Sequence, residues 1–521
     1  MNGCRRGANE QQYAVASGTA QLSACTARDK ACNALPPFFV HKKCHCSFPR
    51  ANGAMTHCPA FAPQPVPRCT LPRPQPWWRH AVCGTRALKA GGGATSGSVT
   101  LGLDFGTSGA RVMAVDATGT LVADARTPWP ANGSDDWPAA WETALWELLT
   151  SLPSAVRAQV RALALDGTSA TCLLVDATSG APLTQALLYN AACTEALPAV
   201  AALAPKGHTC VAATSTLAKL MTWHTAGRVA RNAVLAHQAD HIAALLHGRV
   251  GVSDWNNALK LGFDPEASAW PPWLIGSQVG HALPRAVVRP GACIGPLTPA
   301  AASRAGLPAD CVVAAGTTDS IAAFLASFGD GAAEMAPGDA VTSLGSTLAV
   351  KMLSRTRIDD AVHGIYSHRI GDDTWLVGGA SNTGGAVLKA LFGDSDKLRT
   401  LSARIIPGVA SPLDYYPLNA PGERFPVNDA KLEPRLSPRP ADEAEFLHGV
   451  LESMARIEAR GYQLLAAQGA PPLRRVLTAG GGGANEQWVA IRQRLLGVPV
   501  SRATQGEAAY GAALLARQAL L

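Results

Sequence analysis

Leu101-Gly-Leu-Asp-Phe-Gly-Thr-Ser-Gly-Ala110 decides how this chain is read. An apolar run ends in Asp104, and Gly106, Thr107, Ser108 and Gly109 follow almost at once. A buried strand that delivers a carboxylate, hydroxyls and glycines into a tight turn suits a phosphate site. Glycine lets the backbone approach phosphate oxygens, and hydroxyls donate to them. Asp104, at the strand end, is placed to hold a hydrated Mg²⁺, a hard cation that prefers oxygen and keeps several waters. The pattern predicts strands over Val99–Asp104 and Ala110–Val115, a hairpin turn at Asp116-Ala-Thr-Gly119, and a strand over Leu121–Ala125. A plain β-turn with a structural Asp would look the same, since a glycine-rich turn alone is a weak signal. Far downstream, Val312-Val-Ala-Ala-Gly-Thr-Thr-Asp-Ser320 repeats the design. Two such units suggest two half-molecules meeting on one polyphosphate, which points to a kinase that uses ATP.

The 521 residues predict two or more domains. An apolar fraction of 47% is that of a globular protein. No uncharged apolar run reaches the roughly 18 residues of a membrane span, so no membrane association is expected. The overall charge of +7 divides unevenly. Residues 1–97 hold twelve Lys or Arg against Glu10 and Asp29, a net of +10. The remainder holds 33 bases and 36 acids, a net of −3, which does not indicate a nucleic-acid surface. Eight of the thirteen cysteines also lie in this leader. The other five (Cys172, Cys193, Cys210, Cys293 and Cys311) are scattered, mostly in apolar company, as expected in a reducing compartment. The leader is rich in Ala, Pro, Arg and Ser and has no sustained periodicity, the composition of an organelle transit peptide. A chloroplast address is expected, with mitochondrion or cytoplasm as alternatives. Cys44-His45-Cys46 with Cys58 and Cys69 lacks the paired spacing of a zinc module.

Asp319 stands between a buried strand and an Ala-rich helix. Phosphoryl transfer asks a protein mainly for positioning and charge neutralisation, and for something to take the hydroxyl proton. An Asp at a helix start can take it within about 3 Å of the hydroxyl, while the helix N-terminus favours the transferring phosphate. The alternative is a helix-capping Asp. Val341-Thr-Ser-Leu-Gly345-Ser346-Thr347-Leu-Ala-Val350 is strand, turn and strand again. In Val476-Leu-Thr-Ala-Gly480-Gly-Gly-Gly-Ala484-Asn485-Glu-Gln-Trp488, a strand ends in four glycines before a helix. A flat nucleotide can lie on such bare backbone, with Asn485 to hydrogen-bond and Trp488 to stack on a purine. Leu163-Ala-Leu-Asp166-Gly-Thr-Ser-Ala170 turns out Asp166, Thr168 and Ser169. Lys219, in a capped helix, is a functional cation or a solvated residue. The polar run from His237 to Asp264 offers Asp240 and Asn256 as sugar contacts or as caps.

From Val99 to the C-terminus these motifs together resemble the FGGY carbohydrate kinases, and within them the plant and cyanobacterial D-ribulose kinase branch. The resemblance implies an α/β fold of two actin-like ATPase (RNase H-like) lobes, each around a mixed five-stranded sheet, with a cleft between, preceded by a disordered targeting leader. The leader spans 1–97, the sugar-binding lobe 98–327, the nucleotide lobe 328–502, and a terminal helix (503–521) returns to the first lobe. It implies ATP and Mg²⁺ as cofactors and a ketopentose as substrate, D-ribulose first and D-xylulose as the alternative. Asp104, Ser169 and Asp319 would face the sugar, with Asp319 as catalytic base. Gly106, Thr107, Ser108, Gly345, Ser346, Thr347, Gly481, Gly482, Asn485 and Trp488 would hold ATP. Close relatives carry an Asp and an Arg after the Tyr-Asn pair where this chain has Leu188-Tyr189-Asn190-Ala191-Ala192-Cys193. That departure leaves substrate preference open, and with it a non-catalytic sugar- or nucleotide-binding regulator on the same fold. An actin-like filament or chaperone ATPase would not need the polar run at His237–Asp264.

Overall fold

The computed structural model describes residues 97–131 and 133–521. Apart from Gly97, the leader, its expected disorder and its cysteines fall outside the described residues.

Among the described residues, two large sheets follow one plan. The first runs, edge to edge, Leu121–Pro128, Gly109–Asp116, Val99–Phe105, Val160–Gly167, Val312–Ala314 and Cys293–Pro296, with the two-residue strand Thr317–Thr318 also pairing with Val160–Gly167. The second runs Tyr366–Arg369, Trp375–Ser381, Leu348–Ser354, Asp339–Leu344, Arg475–Ala479 and Val500–Arg502. Each has an antiparallel three-strand meander followed by two parallel strands. The five-stranded expectation describes this shared plan, and extra strands enlarge it to seven and six. The Val99–Phe105 strand is buried along its whole length because it is central in the sheet, with an antiparallel strand on one edge, a parallel one on the other and the helix Ala508–Gln518 against it.

The plan corrects one expectation. Val312–Ser320 is not the counterpart of Leu101–Ala110 in the other half, because it lies in the same sheet, beyond Val160–Gly167. The counterpart is Val341–Val350, whose Gly345–Thr347 turn joins the first two strands of the second sheet. A central helix, Asp319–Ser327, lies between the sheets. Its Ile321 and Phe324 pack in one cluster with Ala162 and Ala164 of the first sheet and Val341, Leu353, Leu376 and Leu477 of the second.

The helix Ala508–Gln518 packs on the first sheet and on the central helix. Two glycines permit the contact. A Cβ on Gly102 would fall 1.8 Å from the Ala509 carbonyl oxygen, and one on Gly511 would fall 1.9 Å from that of Ala322. Gly511→Ala is therefore expected to cost about 1–3 kcal/mol through overpacking. A lower denaturant midpoint with unchanged slope checks it; an unaltered midpoint would mean the backbones can part freely.

Candidate active site

Cross-strand register assembles the site. Asp104 pairs with Arg111 on one side and Asp166 on the other, and Asp166 in turn pairs with Thr317. Neighbouring strands lie about 4.8 Å apart, so three carboxyl-bearing positions gather at the C-terminal strand ends, Asp319 coming two residues after Thr317. Open α/β sheets bind ligands at that end. Asp166 is fully buried in its strand, not presented in the turn. Beyond the hydrogen bond between the two carboxyls, neither Asp166 oxygen nor Asp104 Oδ1 has a partner among the described residues. Burial raises Asp104 to about 6, offset in part by the Asp166 hydrogen bond and the Arg111 charge. Burial and the Asp104 charge raise Asp166 well above the usual range.

Arg111 was not read as a site residue from sequence. Its Nε lies 3.6 Å from Asp104 Oδ2, and its Nη1 donates to Glu507 at the start of the terminal helix. The available signal was a lone cation inside the otherwise apolar Ala110–Val115 run. Thr107 and Ser108 are exposed at the crest of the first turn. Trp129 braces that turn, its backbone N–H donating to Ser108 O (3.1 Å) and its indole N–H to Gly106 O (2.9 Å).

Thr318, not Asp319, is the N-cap of the central helix, and its hydroxyl makes no capping bond. Among the described residues Asp319 accepts from its own neighbour, the Ser320 N–H, at 2.6 Å, and from no other donor. Burial raises Asp319, while the Ser320 bond and the charges of Lys351 and Lys260 oppose that rise. Its carboxylate is thus not committed to capping.

The turn after Asp166 is rigid. Gln238 Oε1 accepts from the Thr168 N–H (2.9 Å) and hydroxyl (3.0 Å), and Ala170 adopts φ +67. A non-glycine residue there is strained. Lys219 is neither a free functional cation nor solvated. It is fully buried, donating to Ala170 O (2.8 Å) and Leu188 O (2.6 Å), and so ties this turn to the Leu188–Cys193 segment. Ser169 stays half-exposed at the crest. Asp240 is occupied in a capping box with His237. Asn256 donates to Thr317 Oγ1 at 3.0 Å, bracing the strand before Asp319.

In the second sheet three turns converge. Gly345 O and Ser346 O accept from Gly385 N and Ala386 N at 2.8 and 3.1 Å. Gly480, at φ +82, comes so close to Leu344 that a Cβ would lie 2.7 Å from its carbonyl oxygen. By contrast, a Cβ on Gly345 or Gly481 would meet nothing within 4 Å. These two glycines, with exposed Ser346 and Thr347, leave bare backbone open to a polyphosphate. Gly482 is half-exposed beside them.

Two expectations for the nucleotide are corrected. Trp488 is 1% exposed in the apolar core against the second sheet, packed with Val476 and Leu344 beneath Gly482, and cannot stack on an incoming purine in this arrangement. One turn into an amphipathic helix, its indole follows the apolar face inward. Asn485 caps that helix through the Trp488 N–H and donates to Ser402 Oγ (2.8 Å), so its side chain holds the loop.

The buried Asp104–Asp166 carboxyl pair, whose oxygens Asp104 Oδ1 and Asp166 Oδ1 and Oδ2 have no further partner among the described residues, fits a cation beside the first turn. Among the described residues no group of three His, Cys, Asp or Glu side chains forms a direct metal cage. The residues therefore suit magnesium that keeps its waters and takes further ligands from phosphate.

Residues 340–520 match the C-terminal domain of the FGGY family of carbohydrate kinases. Among solved structures, a xylulose kinase from Rhodospirillum rubrum is 24% identical with TM-score 0.69, covering 80% of this chain and 89% of its own. A gluconate kinase from Lactobacillus acidophilus is 16% identical with TM-score 0.68, covering 81% and 90%. A Plasmodium falciparum glycerol kinase with ADP is 14% identical with TM-score 0.67, covering 81% and 90%.

Proposed function

We propose that this chain, whose second lobe is an FGGY carbohydrate-kinase C-terminal domain and whose two lobes share the fold of such kinases, phosphorylates the terminal hydroxyl of a ketopentose with ATP. The observation that carries the reading is Asp319, a carboxylate not used as the N-cap, at the start of the helix packed between two sheets, one with an exposed Thr107–Ser108 turn and the other with an open Gly345–Thr347 turn. Asp319 takes the proton from the sugar hydroxyl as the hydroxyl oxygen bonds to the terminal phosphorus and the bond from that phosphorus to the bridging oxygen breaks, its electron pair leaving with ADP. The helix N-terminus behind it faces the developing negative charge. Thr107 and Ser108 on one side, and Gly345, Ser346 and Thr347 on the other, orient the phosphates. Gly481 and Gly482 give the nucleotide a flat seat. When bound, magnesium held by Asp104 through water would neutralise phosphate charge. Ser169 and Asp104 contact the sugar, whose unmatched hydroxyls a buried polar site rejects.

D-Ribulose is the favoured sugar, supported by the likeness of the whole motif set to the D-ribulose kinase branch. The Leu188–Cys193 segment keeps D-xylulose as the second reading, since it lacks the charged pair of close relatives. A panel of ketoses, gluconate and glycerol, read as ADP release by the purified protein, tests this. D-Ribulose is expected to give the highest kcat/KM. Turnover of gluconate or glycerol alone, or of no pentulose, would overturn the assignment; ATP binding without any turnover would favour a regulator. Residence in the plastid is a separate proposal, supported by the basic, acid-poor composition of residues 1–97.

A further inference from the structure

Lys351 belongs to the second sheet, in the strand that leaves the Gly345–Thr347 turn. It pairs there with Val341 and with Gly378. Its ammonium leaves that sheet and donates to the Ser320 carbonyl, 2.9 Å away, in the first turn of the helix that begins at Asp319. A helical carbonyl has a second lone pair free for such a donor. The same ammonium acts by charge on the Asp319 carboxyl, together with Lys260. We propose that Lys351 is a positioning residue for the base. Reaching across from the nucleotide side, it pins the helix start and favours the carboxylate form of Asp319, so the base is ready only when the two lobes meet. The inference rests on Asp319 being the base.

The surrounding charges are consistent with this role. Lys351 faces Asp319, Lys260 and His368. His368 is held neutral, pushed well below its usual value by burial and then by the two lysines. Beyond Asp319 lie Asp104 and Asp166, with Arg111 paired to Asp104. Burial lowers Lys351 to about 8, and the Asp319 charge resists that fall. The sign follows directly. Below that value the ammonium is present and Asp319 is held ionised; as pH rises through it, the pin and the charge are lost together.

pH–rate profiles of the full chain, Lys351→Arg and Lys351→Met test this, with the sugar that the panel identifies. Wild type should lose activity on the alkaline side near 8. Lys351→Arg, which stays charged throughout the profile, should retain turnover and lose that alkaline limb. Lys351→Met should lower kcat on the order of tenfold to a hundredfold and move the acid limb up by about one unit, with KM for sugar and ATP nearly unchanged. Superimposable Met and wild-type profiles, or a raised KM for ATP at unchanged kcat, would overturn the proposal. A second arm reads it without turnover: the Asp319 carboxyl resonance in ¹³C-aspartate-labelled protein, assigned by its absence from Asp319→Asn. It should titrate about one unit higher in Lys351→Met. An unmoved titration sinks the inference even where no sugar is phosphorylated, while silence of wild type toward every sugar defeats only the functional reading.

Discussion

Asp319→Asn is expected to lower kcat by about 10²–10⁴-fold, the usual contribution of a positioned general base. The substitution keeps size and shape, so the central helix and its packing between the sheets should persist, and the melting temperature should move little. KM for the sugar should change less than kcat, because the lost interaction belongs to the transition state. The wild-type acid limb should lie above the ordinary Asp range, since burial raises the carboxyl and the protonated form cannot accept the hydroxyl proton. Activity therefore falls as pH drops through that raised value. Steady-state rates from pH 4 upward measure both effects. A loss of less than about tenfold would mean that the proton leaves without Asp319.

The largest expected stability effect lies under the second sheet. Glu458 of the long helix Glu443–Ala467 and Arg492 of the helix Glu486–Leu496 pair with no exposed side-chain surface, at 2.6 and 2.7 Å. Arg492 also donates to Thr478 Oγ1 at 2.6 Å, and the Thr342 hydroxyl donates to Glu458. Thr342 and Thr478 lie on the two strands that lead into the Gly345 and Gly480 turns. Glu458→Ala would strand a buried guanidinium, at a cost of about 3–5 kcal/mol. Urea unfolding should show the loss, and ATP binding should weaken alongside. A drop under about 1 kcal/mol would show that water or a rearranged partner reaches Arg492.

The local reading matched the observed backbone where short-range residue chemistry dictates a turn. Asp104 followed by glycines and hydroxyls, and the glycine run after Ala479, could be found without coordinates, because few residues permit such close approach. The FGGY likeness holds at the level of fold and of the second-lobe domain match. What stayed hidden depended on partners distant in sequence. Asp166 looked like a turn residue until register set it against Asp104. Lys219 gave no sign that two carbonyls awaited it, since a buried lysine is legible only once its acceptors are placed. Trp488 offered an aromatic ring near glycines, and only tertiary packing shows the ring beneath them. Lys351 sat in an apolar strand with nothing nearby in sequence to explain it, its acceptor lying in the other lobe.

The wedge made by Ala508–Gln518 has a consequence for biogenesis. Strands of the first sheet leave the ribosome early, yet the segment that covers them emerges only after the whole second sheet has been translated. Until then Gly102 and the flank of the central helix remain uncovered. The early half therefore stays incompletely sealed until the last helix of the chain arrives.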